Sequence, residues 1–187
     1  MPTFGNAQLK LLEKLCNVIA VSGDESEVRR IVLDEIKPYA DEVRVDAMGS
    51  VLAIKRGQGQ KRVRIMLDAH MDEVGFFIVA EDGEGIYRFE TVGGIDVRHL
   101  IGKQVLVGRE RTPGVIGGKP VHLMDDDEAR RKVPLGVLRI DMGLGGKAKI
   151  GDRAGFATQF RRVGPSIMAK SIDDRIGVAT LIELLKH

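Results

Sequence analysis

Apolar residues recur at helical spacing near both ends of the chain. The runs at 7–20 and 28–36 each place their apolar side chains on one face, which predicts two amphipathic helices. Ser22 and Glu25 have the spacing of a capping box at the start of the second helix. Helical spacing returns only at 176–185, so a third helix is predicted at the end of the chain.

The segments between the first helices and residue 72 have strand-like patterns. Residues 42–46 and 50–55 alternate between apolar and polar side chains about a short turn at 47–49, which predicts a β-hairpin. Residues 63–69 are mostly apolar, a pattern typical of a central strand in a sheet covered on both faces. Together with the helices, these segments predict an α/β lobe.

From residue 73 onward the chain becomes rich in glycine and in short apolar runs. Of the 187 residues 23 are glycine, and the interior of the chain holds most of them, as punctuation between the runs. Short strands are predicted at 76–80, 86–90, 104–108, 114–116, 137–141 and 155–161. Several short strands at this spacing favour a small barrel or sandwich. The predicted organisation is an α/β lobe at 1–72 and 165–187, with an inserted β domain at 73–164.

Composition narrows the possible functions and the cellular location. The net charge is +2, and basic and acidic residues are interspersed, so we expect no nucleic-acid partner. No apolar stretch near the N-terminus is long enough for a signal peptide or a membrane span, which predicts a cytoplasmic protein without a membrane partner. The single cysteine, Cys16, lies on the apolar face of the first helix and is predicted to be buried. A serine or cysteine nucleophile is therefore not indicated.

Three residues could carry metal chemistry. His70 follows the apolar run at 63–69, and α/β sheets place ligands at the carboxyl ends of their strands. In an extended segment Asp72 faces the same side as His70, where its carboxylate can orient the imidazole. Asp173 stands at the start of the last helix, a position that favours an anionic group. These residue types together indicate a candidate site for a divalent cation.

Each of these residues also has a structural interpretation. His70 could be a hydrogen-bonded structural histidine, Asp173 could cap the last helix, and Asp72 and Glu73 could be turn residues. Spacing alone leaves both interpretations open. Packing or surface roles are expected for the other candidates, His99, His122, Asp82, Asp96 and 125–127.

Four motifs in a fixed order change this balance. They are DAHMDEVG at 68–75, GGID at 93–96, GVIGGKPVH at 114–122 and IDDRIG at 172–177, and RKVP at 131–134 agrees with them. The chain closely resembles, on these motifs, the M42 family of metallo-aminopeptidases, the glutamyl and tetrahedral (TET) aminopeptidase group, some of which are labelled endoglucanases. The resemblance spans essentially all 187 residues, and about the first half of a typical family member.

The resemblance implies a fold, an activity and roles for the candidate residues. The implied fold is a zinc-peptidase-like α/β lobe with an inserted small β-barrel, PDZ-like domain that helps to assemble homo-oligomers. The implied activity is removal of N-terminal residues from peptides, with two divalent ions, zinc or cobalt, as cofactors. By motif, His70 corresponds to a ligand of one ion, Asp173 to the carboxylate that bridges both, and Asp72 to the catalytic partner that orients His70.

The family pattern also contains residues beyond the end of this sequence. In the family a Glu-Glu pair well beyond the bridging aspartate supplies the general base and one ligand, and another acidic ligand and a last histidine follow. We therefore expect an incomplete, truncated lobe with an exposed apolar patch, weak or absent metal binding and no activity of the chain alone. The alternative is a non-catalytic oligomerisation or binding module derived from such an enzyme. A glycosidase would need a pair of carboxylic acids across a sugar cleft, and the His-x-Asp element argues against it.

Overall fold

The structure is a computed structural model that describes residues 5–59, 63–118 and 133–187. The chain divides into two compact units, one formed by Met1–Glu73 with Gln159–His187 and the other by Val74–Thr158. The return to the first unit occurs at Gln159, whereas the sequence pattern suggested 165. The assignment of these units as a catalytic lobe and an inserted domain stays a prediction.

The first unit begins with two helices and a hairpin. Helix α1 spans Asn6–Asn17, helix α2 spans Ser26–Ile36, and strands β1 (Glu42–Val45) and β2 (Val51–Ile54) pair antiparallel. The Gly5 amide donates to Gln8 Oε1 at 2.9 Å and so satisfies one of the free N–H groups at the start of α1. These elements confirm the two helices and the hairpin that the sequence predicted.

The second unit is a closed six-stranded barrel. Its strands are β3 (Gly75–Gly83), β4 (Ile86–Val92), β5 (Gln104–Val107), β6 (Thr112–Gly117), β7 (Arg139–Asp141) and β8 (Arg153–Phe156). Around the barrel the strand order is β3-β4-β7-β6-β5-β8, and β8 pairs with β3 to close it. Closure leaves no unpaired edge strand, and it decides between the barrel and the sandwich that the sequence left open.

The tight turn between β3 and β4 requires glycine. Gly85 has a φ of +74°, and a Cβ atom built there would lie 2.0 Å from the carbonyl oxygen of Gly143. The turn and the 142–146 segment can therefore approach each other only because Gly85 has no side chain.

The barrel is filled by apolar side chains that alternate inward along its strands. Phe76 is fully buried and packs edge-on against Phe89 and Phe156, with ring centroids 5.2 Å apart in each pair. Ile78, Ile116 and Ile140 complete the centre of this core. The side chains filling this core come from strands that lie far apart in the sequence.

The chain returns to the first unit through a second hairpin and a helix. Strands β9 (Arg161–Val163) and β10 (Ser166–Met168) pair antiparallel, and helix α3 spans Ile172–Lys186. The predicted strand at 155–161 was wrong in extent, since β8 ends at Phe156 and β9 starts only at Arg161. The hairpin was missed because its strands have three residues each and show no buried alternation.

The three helices share the core of the first unit. Leu12, Leu15, Val28 and Ile182 are almost completely buried, and Cys16 is buried among them as predicted. Val51 and Ala53 of the hairpin pack against the same cluster. This core therefore joins segments from the two ends of the chain. Within the described residues no helix is long and apolar enough to cross a bilayer.

The predicted central strand at 63–69 is not present in the described part of the chain. Residues 63–72 form no strand there, and Val63, Ile65, Met66 and Leu67 are between 59 and 85% exposed. Only Ala69 and Met71 of this region pack against the core of the first unit. The apolar pattern predicts a buried strand correctly only where neighbouring strands exist to pair with it, and the described residues supply none.

The predicted capping box at the start of α2 was also wrong. Glu25 precedes the helix without a side-chain capping bond, and the hydroxyl of Ser22 donates to the carboxylate of Asp72. A hydrogen bond to an ionised carboxylate is stronger than one to a neutral partner, so Asp72 competes successfully for this hydroxyl.

Matched phenylalanine substitutions on β3 test the assignment of the barrel core. Phe76→Ala removes a fully buried ring and should lower the free energy of unfolding by about 3–5 kcal/mol. Phe77→Ala is the control, because the neighbouring ring is only partly buried and lies under Arg153. Denaturant unfolding of both variants should show the larger loss for Phe76→Ala. Equal losses would contradict the alternation described here.

Candidate metal centre

His70 is hydrogen bonded by carboxylates on both sides of its ring. Its Nδ1 lies 3.0 Å from Asp72 Oδ1, and its Nε2 lies 3.0 Å from Asp173 Oδ1. Asp72 comes from the segment that follows 63–69, whereas Asp173 comes from the start of α3, 103 residues after His70. The structure therefore brings together all three residues that the sequence singled out.

Asp72 is well placed to orient the imidazole. One of its oxygens contacts His70 Nδ1, and the other accepts the hydrogen bond of the Ser22 hydroxyl. A carboxylate on Nδ1 fixes the tautomer of a histidine and leaves Nε2 as the nitrogen that can bind a cation. Ser22 in turn restricts the rotation of the Asp72 carboxylate.

The two aspartates at the start of α3 have different partners. Asp173 is exposed and reaches His70, whereas Asp174 Oδ1 accepts the amide hydrogen of Gly177 at 3.0 Å. The peptide bond between them is cis. Asp174 therefore supplies the helix-capping hydrogen bond that was considered for Asp173. Gly177 suits this arrangement, because a Cβ atom there would lie 2.4 Å from the Asp174 carboxylate.

The charges in this cluster shift the protonation of His70 and Asp72. Partial burial lowers the pKa of His70, but the hydrogen bonds and negative charges of Asp173 and Asp72 outweigh it, so the pKa is raised. Burial raises the pKa of Asp72, but the hydrogen bonds from Ser22 and His70 outweigh it and lower the pKa overall. The cluster as a whole attracts positive charge, which a protonated imidazole or a cation could supply.

Glu73, which follows Asp72 in the chain, forms a buried ion pair that the sequence analysis missed. Glu73 and Lys170 are among the few buried charged residues, and Lys170 Nζ lies 2.7 and 2.8 Å from the two carboxylate oxygens of Glu73. Glu73 also accepts hydrogen bonds from the Ala20 amide at 2.9 Å and from the Ser171 hydroxyl. Burial lowers the pKa of Lys170, and the charge of Glu73 offsets part of this shift.

Arg175 is the other buried charged residue near the site. It is fully buried, and its Nη1 donates to the carbonyl oxygen of Leu15 at 2.6 Å. Burial lowers the pKa of Arg175, while the nearby negative charges of Glu73 and Asp72 act in the opposite direction. The bond to Leu15 fixes the first turn of α3 to the end of α1.

The donor set fits part of a site for zinc, cobalt or manganese, which accept imidazole nitrogen and carboxylate oxygen. Two ligands of a tetrahedral zinc lie roughly 3.3 Å apart, so His70 Nε2 and Asp173 Oδ1 are close to the separation that one shared ion requires. Within the described ranges no group of three or more histidine, cysteine, aspartate or glutamate side chains is arranged so that it could hold one ion. His70 and Asp173 therefore remain a candidate pair of ligands, and those ranges do not complete the coordination of a cation.

The remaining candidates that the structure describes have other partners or positions. His99 ends a short 3₁₀ turn in the second unit, and Asp96 accepts hydrogen bonds from the amide and the guanidinium of Arg98. Asp82 pairs with Arg139 at 2.6 Å. His122 and 125–127 lie outside the described residues. The structural roles expected for Asp82 and Asp96 agree with these contacts.

Comparison with known proteins places the chain in a family. The model of the M42 glutamyl aminopeptidase family matches residues 49–187. The chain belongs to this family, whose aminopeptidases are metal-dependent in general. A putative aminopeptidase of Acetivibrio thermocellus is 34% identical over 183 residues, which cover 95% of this chain and 53% of the relative. The chain thus spans about half the length of the curated relatives it matches.

Solved structures agree with this assignment. A TET aminopeptidase from a marine sediment archaeon of the Thaumarchaeota has a TM-score of 0.88 and 33% identity, and the match covers 97% of this chain and 53% of that one. The TET1 peptidase of Pyrococcus horikoshii, which can assemble into a tetrahedron or a large octahedral shell, has a TM-score of 0.81 and 35% identity. That match covers 96% of this chain and 56% of the Pyrococcus chain. The mixed α/β fold is therefore similar to that of the M42 TET aminopeptidases.

Two lysine substitutions test the energetic weight of the buried pair. Lys170→Met leaves the carboxylate of Glu73 buried without its ion partner and should lower the free energy of unfolding by about 3–5 kcal/mol. Lys14→Met, at the exposed pair with Glu35, should change it by less than about 1 kcal/mol. Thermal and denaturant unfolding measure both variants. Similar small losses would contradict the burial of the Glu73–Lys170 pair.

Proposed function

We propose that this chain supplies part of the active site of a metal-dependent aminopeptidase with a zinc-peptidase-like lobe. The observation that carries the proposal is the contact of His70 with two carboxylates from distant parts of the chain, each 3.0 Å from one ring nitrogen. Membership of the M42 family supports the same reaction class, hydrolysis of the N-terminal peptide bond. Peptides are the proposed substrates.

The proposed roles follow from the partners of each side chain. His70, through Nε2, and Asp173 are the residues that would hold a cation. Asp72 holds the His70 ring by its Nδ1–H and keeps a negative charge near the site. The chemistry that bound divalent cations would supply is the activation of a water and the polarisation of the scissile carbonyl.

The exposure of the site suits a substrate that must enter from solvent. The side chain of Asp173 is 94% exposed and that of His70 is 55% exposed. Their supports, Glu73 and Lys170, are buried. Ligands that are exposed but held by buried polar residues can contact a peptide from solvent while their mutual distance stays fixed.

Self-association is the second part of the proposal. The Pyrococcus protein can assemble into a tetrahedron or a large octahedral shell, and the described residues of this chain include four exposed apolar side chains within 63–67. Several exposed apolar side chains close together in the chain are typical of a surface that another protein segment covers. We therefore propose a homo-oligomer. The alternative of a non-catalytic binding module is not favoured, because such a module would not require His70 to lie between two carboxylates.

Cobalt binding tests the ligand assignment directly. The chain should bind Co²⁺ only weakly, because the described residues offer two donors, and both His70→Ala and Asp173→Asn should abolish that binding, because each removes one of them. Asp72→Asn should weaken it by roughly 10–100-fold, since this carboxylate only orients the imidazole. Calorimetry and visible absorption measure the affinity. His99→Ala, which alters an exposed histidine of the other unit, is the matched control and should leave the affinity unchanged.

Peptidase turnover tests how complete the site is. The purified chain with added Zn²⁺ or Co²⁺ should release no N-terminal residue from aminoacyl substrates, because the described residues hold too few ligands for two ions. Turnover that disappears in His70→Ala would contradict this expectation. It would mean that other residues, or another copy of the chain, complete the site.

A further inference from the structure

We propose that Glu73 is a positioning residue that holds His70 and Asp173 at the distance required to share one cation. The inference rests on the proposed function for its purpose, but its evidence is the geometry beneath the site. Glu73 does not contact His70 or Asp173 itself. It fastens together the two chain segments that carry them.

The first segment is fixed to the residues that follow α1. The backbone amide of Glu73 donates to the carbonyl of Ala20 at 2.9 Å, and the Ala20 amide donates to Glu73 Oε1, also at 2.9 Å. Glu73 and Val21 form a parallel bridge. His70 lies three residues before Glu73, and its neighbours Ala69 and Met71 pack against the core of the first unit, so its backbone is restricted relative to this anchor.

The second segment is fixed to the same carboxylate. Lys170 Nζ contacts both oxygens of Glu73 and also donates to the carbonyl of Val18 at 2.6 Å. The Ser171 hydroxyl donates to Glu73 Oε2. Ser171 has a φ of +56°, a left-handed conformation that is unfavourable for a residue with a side chain and needs support from its surroundings. Asp173 follows two residues later.

A buried ion pair contributes little to the free energy of unfolding compared with apolar side chains of similar volume. Apolar side chains of similar volume often replace such a pair without loss of stability, because removing both charges from the interior avoids their desolvation. What apolar side chains cannot replace is the direction of four hydrogen bonds that converge on one carboxylate from the Ala20 amide, Lys170 and Ser171. Stability and positioning can therefore be separated by experiment.

The test uses the double variant Glu73→Leu/Lys170→Met of the full chain. This variant should unfold closer to the parent than Lys170→Met alone, because it buries no unpaired charge. In this variant the segment that carries His70 and the segment that carries Asp173 should nevertheless no longer be held in a fixed relative position. Its fold is checked by circular dichroism and by the amide spectrum.

The readout is the ring-nitrogen chemical shift of His70 in protein with isotope-labelled histidine, measured without metal at one fixed pH. His70→Ala identifies the signal among the four histidines. In the parent, both Asp173→Asn and Asp72→Asn should move it, because each carboxylate contacts one ring nitrogen. In the double variant the response to Asp173→Asn should be lost. The response to Asp72→Asn should remain, because Asp72 lies on the same segment as His70.

A matched control separates positioning from general destabilisation. Val28→Ala creates a cavity in the core of the same unit and leaves Glu73, Lys170 and Ser171 unchanged. The response of His70 to Asp173→Asn should persist in the Val28→Ala background. An undiminished response in the double variant would overturn the proposal, and so would the absence of any response in the parent.

Two features keep the result interpretable. If the double variant does not fold, Glu73→Gln replaces it. This change keeps the shape of the side chain but puts an amide donor opposite Lys170 and Ser171. A full response of His70 to Asp173→Asn in the Glu73→Gln background would overturn the proposal equally well. The measurement needs no metal and no turnover. A failure of the proposed peptidase function would therefore leave this result intact, and the two failures can be told apart.

Discussion

The buried carboxylate of Glu73 is the interaction on which the candidate site depends. It joins the residues after α1, the segment that carries His70 and the segment that leads into α3, through hydrogen bonds with Ala20, Lys170 and Ser171. A buried carboxylate requires such partners, because a charge removed from water without compensation is highly unfavourable. The requirement works in both directions, since the carboxylate stays buried only while all three segments remain in place.

This arrangement explains how an exposed site can have defined geometry. His70 and Asp173 stand in solvent, where their mutual attraction is screened and weak. Their approach to 3.0 Å is therefore better explained by the backbone positions set below them than by the contact itself. Arg175 adds a second constraint by bonding to Leu15, so the first turn of α3 is fixed on both sides of Asp173.

Much of the fold could be predicted from the sequence, because its patterns are local. The helices, the first hairpin and most barrel strands follow from periodicity and from glycine at turns such as Gly85. Residues 63–69 show the limit of this reasoning, since an apolar run indicates a buried strand only when partners are present. The short hairpin at 161–168 was missed because strands of three mostly exposed residues are too short to give a periodic signal.

The residues of the candidate site also fall into those that could be predicted from the sequence and those that could not. His70, Asp72 and Asp173 were found because their residue types indicate metal chemistry, whereas Glu73 and Lys170 look like ordinary charged residues. The available signal was position: Glu73 lies inside the first motif directly after Asp72, and Lys170 lies two residues before the last motif in an otherwise apolar or small-residue stretch. Pairing across 97 residues of sequence cannot be deduced from either position alone.

The segment before His70 shows why the anchor must lie after it. Residues 63–68 have no strand partner in the described part of the chain, so they cannot define where the imidazole stands. Ala69 and Met71 pack against the helical core, and Glu73 is fixed by its hydrogen bonds. The position of His70 is thus set by packing on its two neighbours and by a carboxylate three residues away. Any protein segment that covered 63–67 would add a constraint from the opposite side of His70, and the geometry of the site would then be restricted in both chain directions.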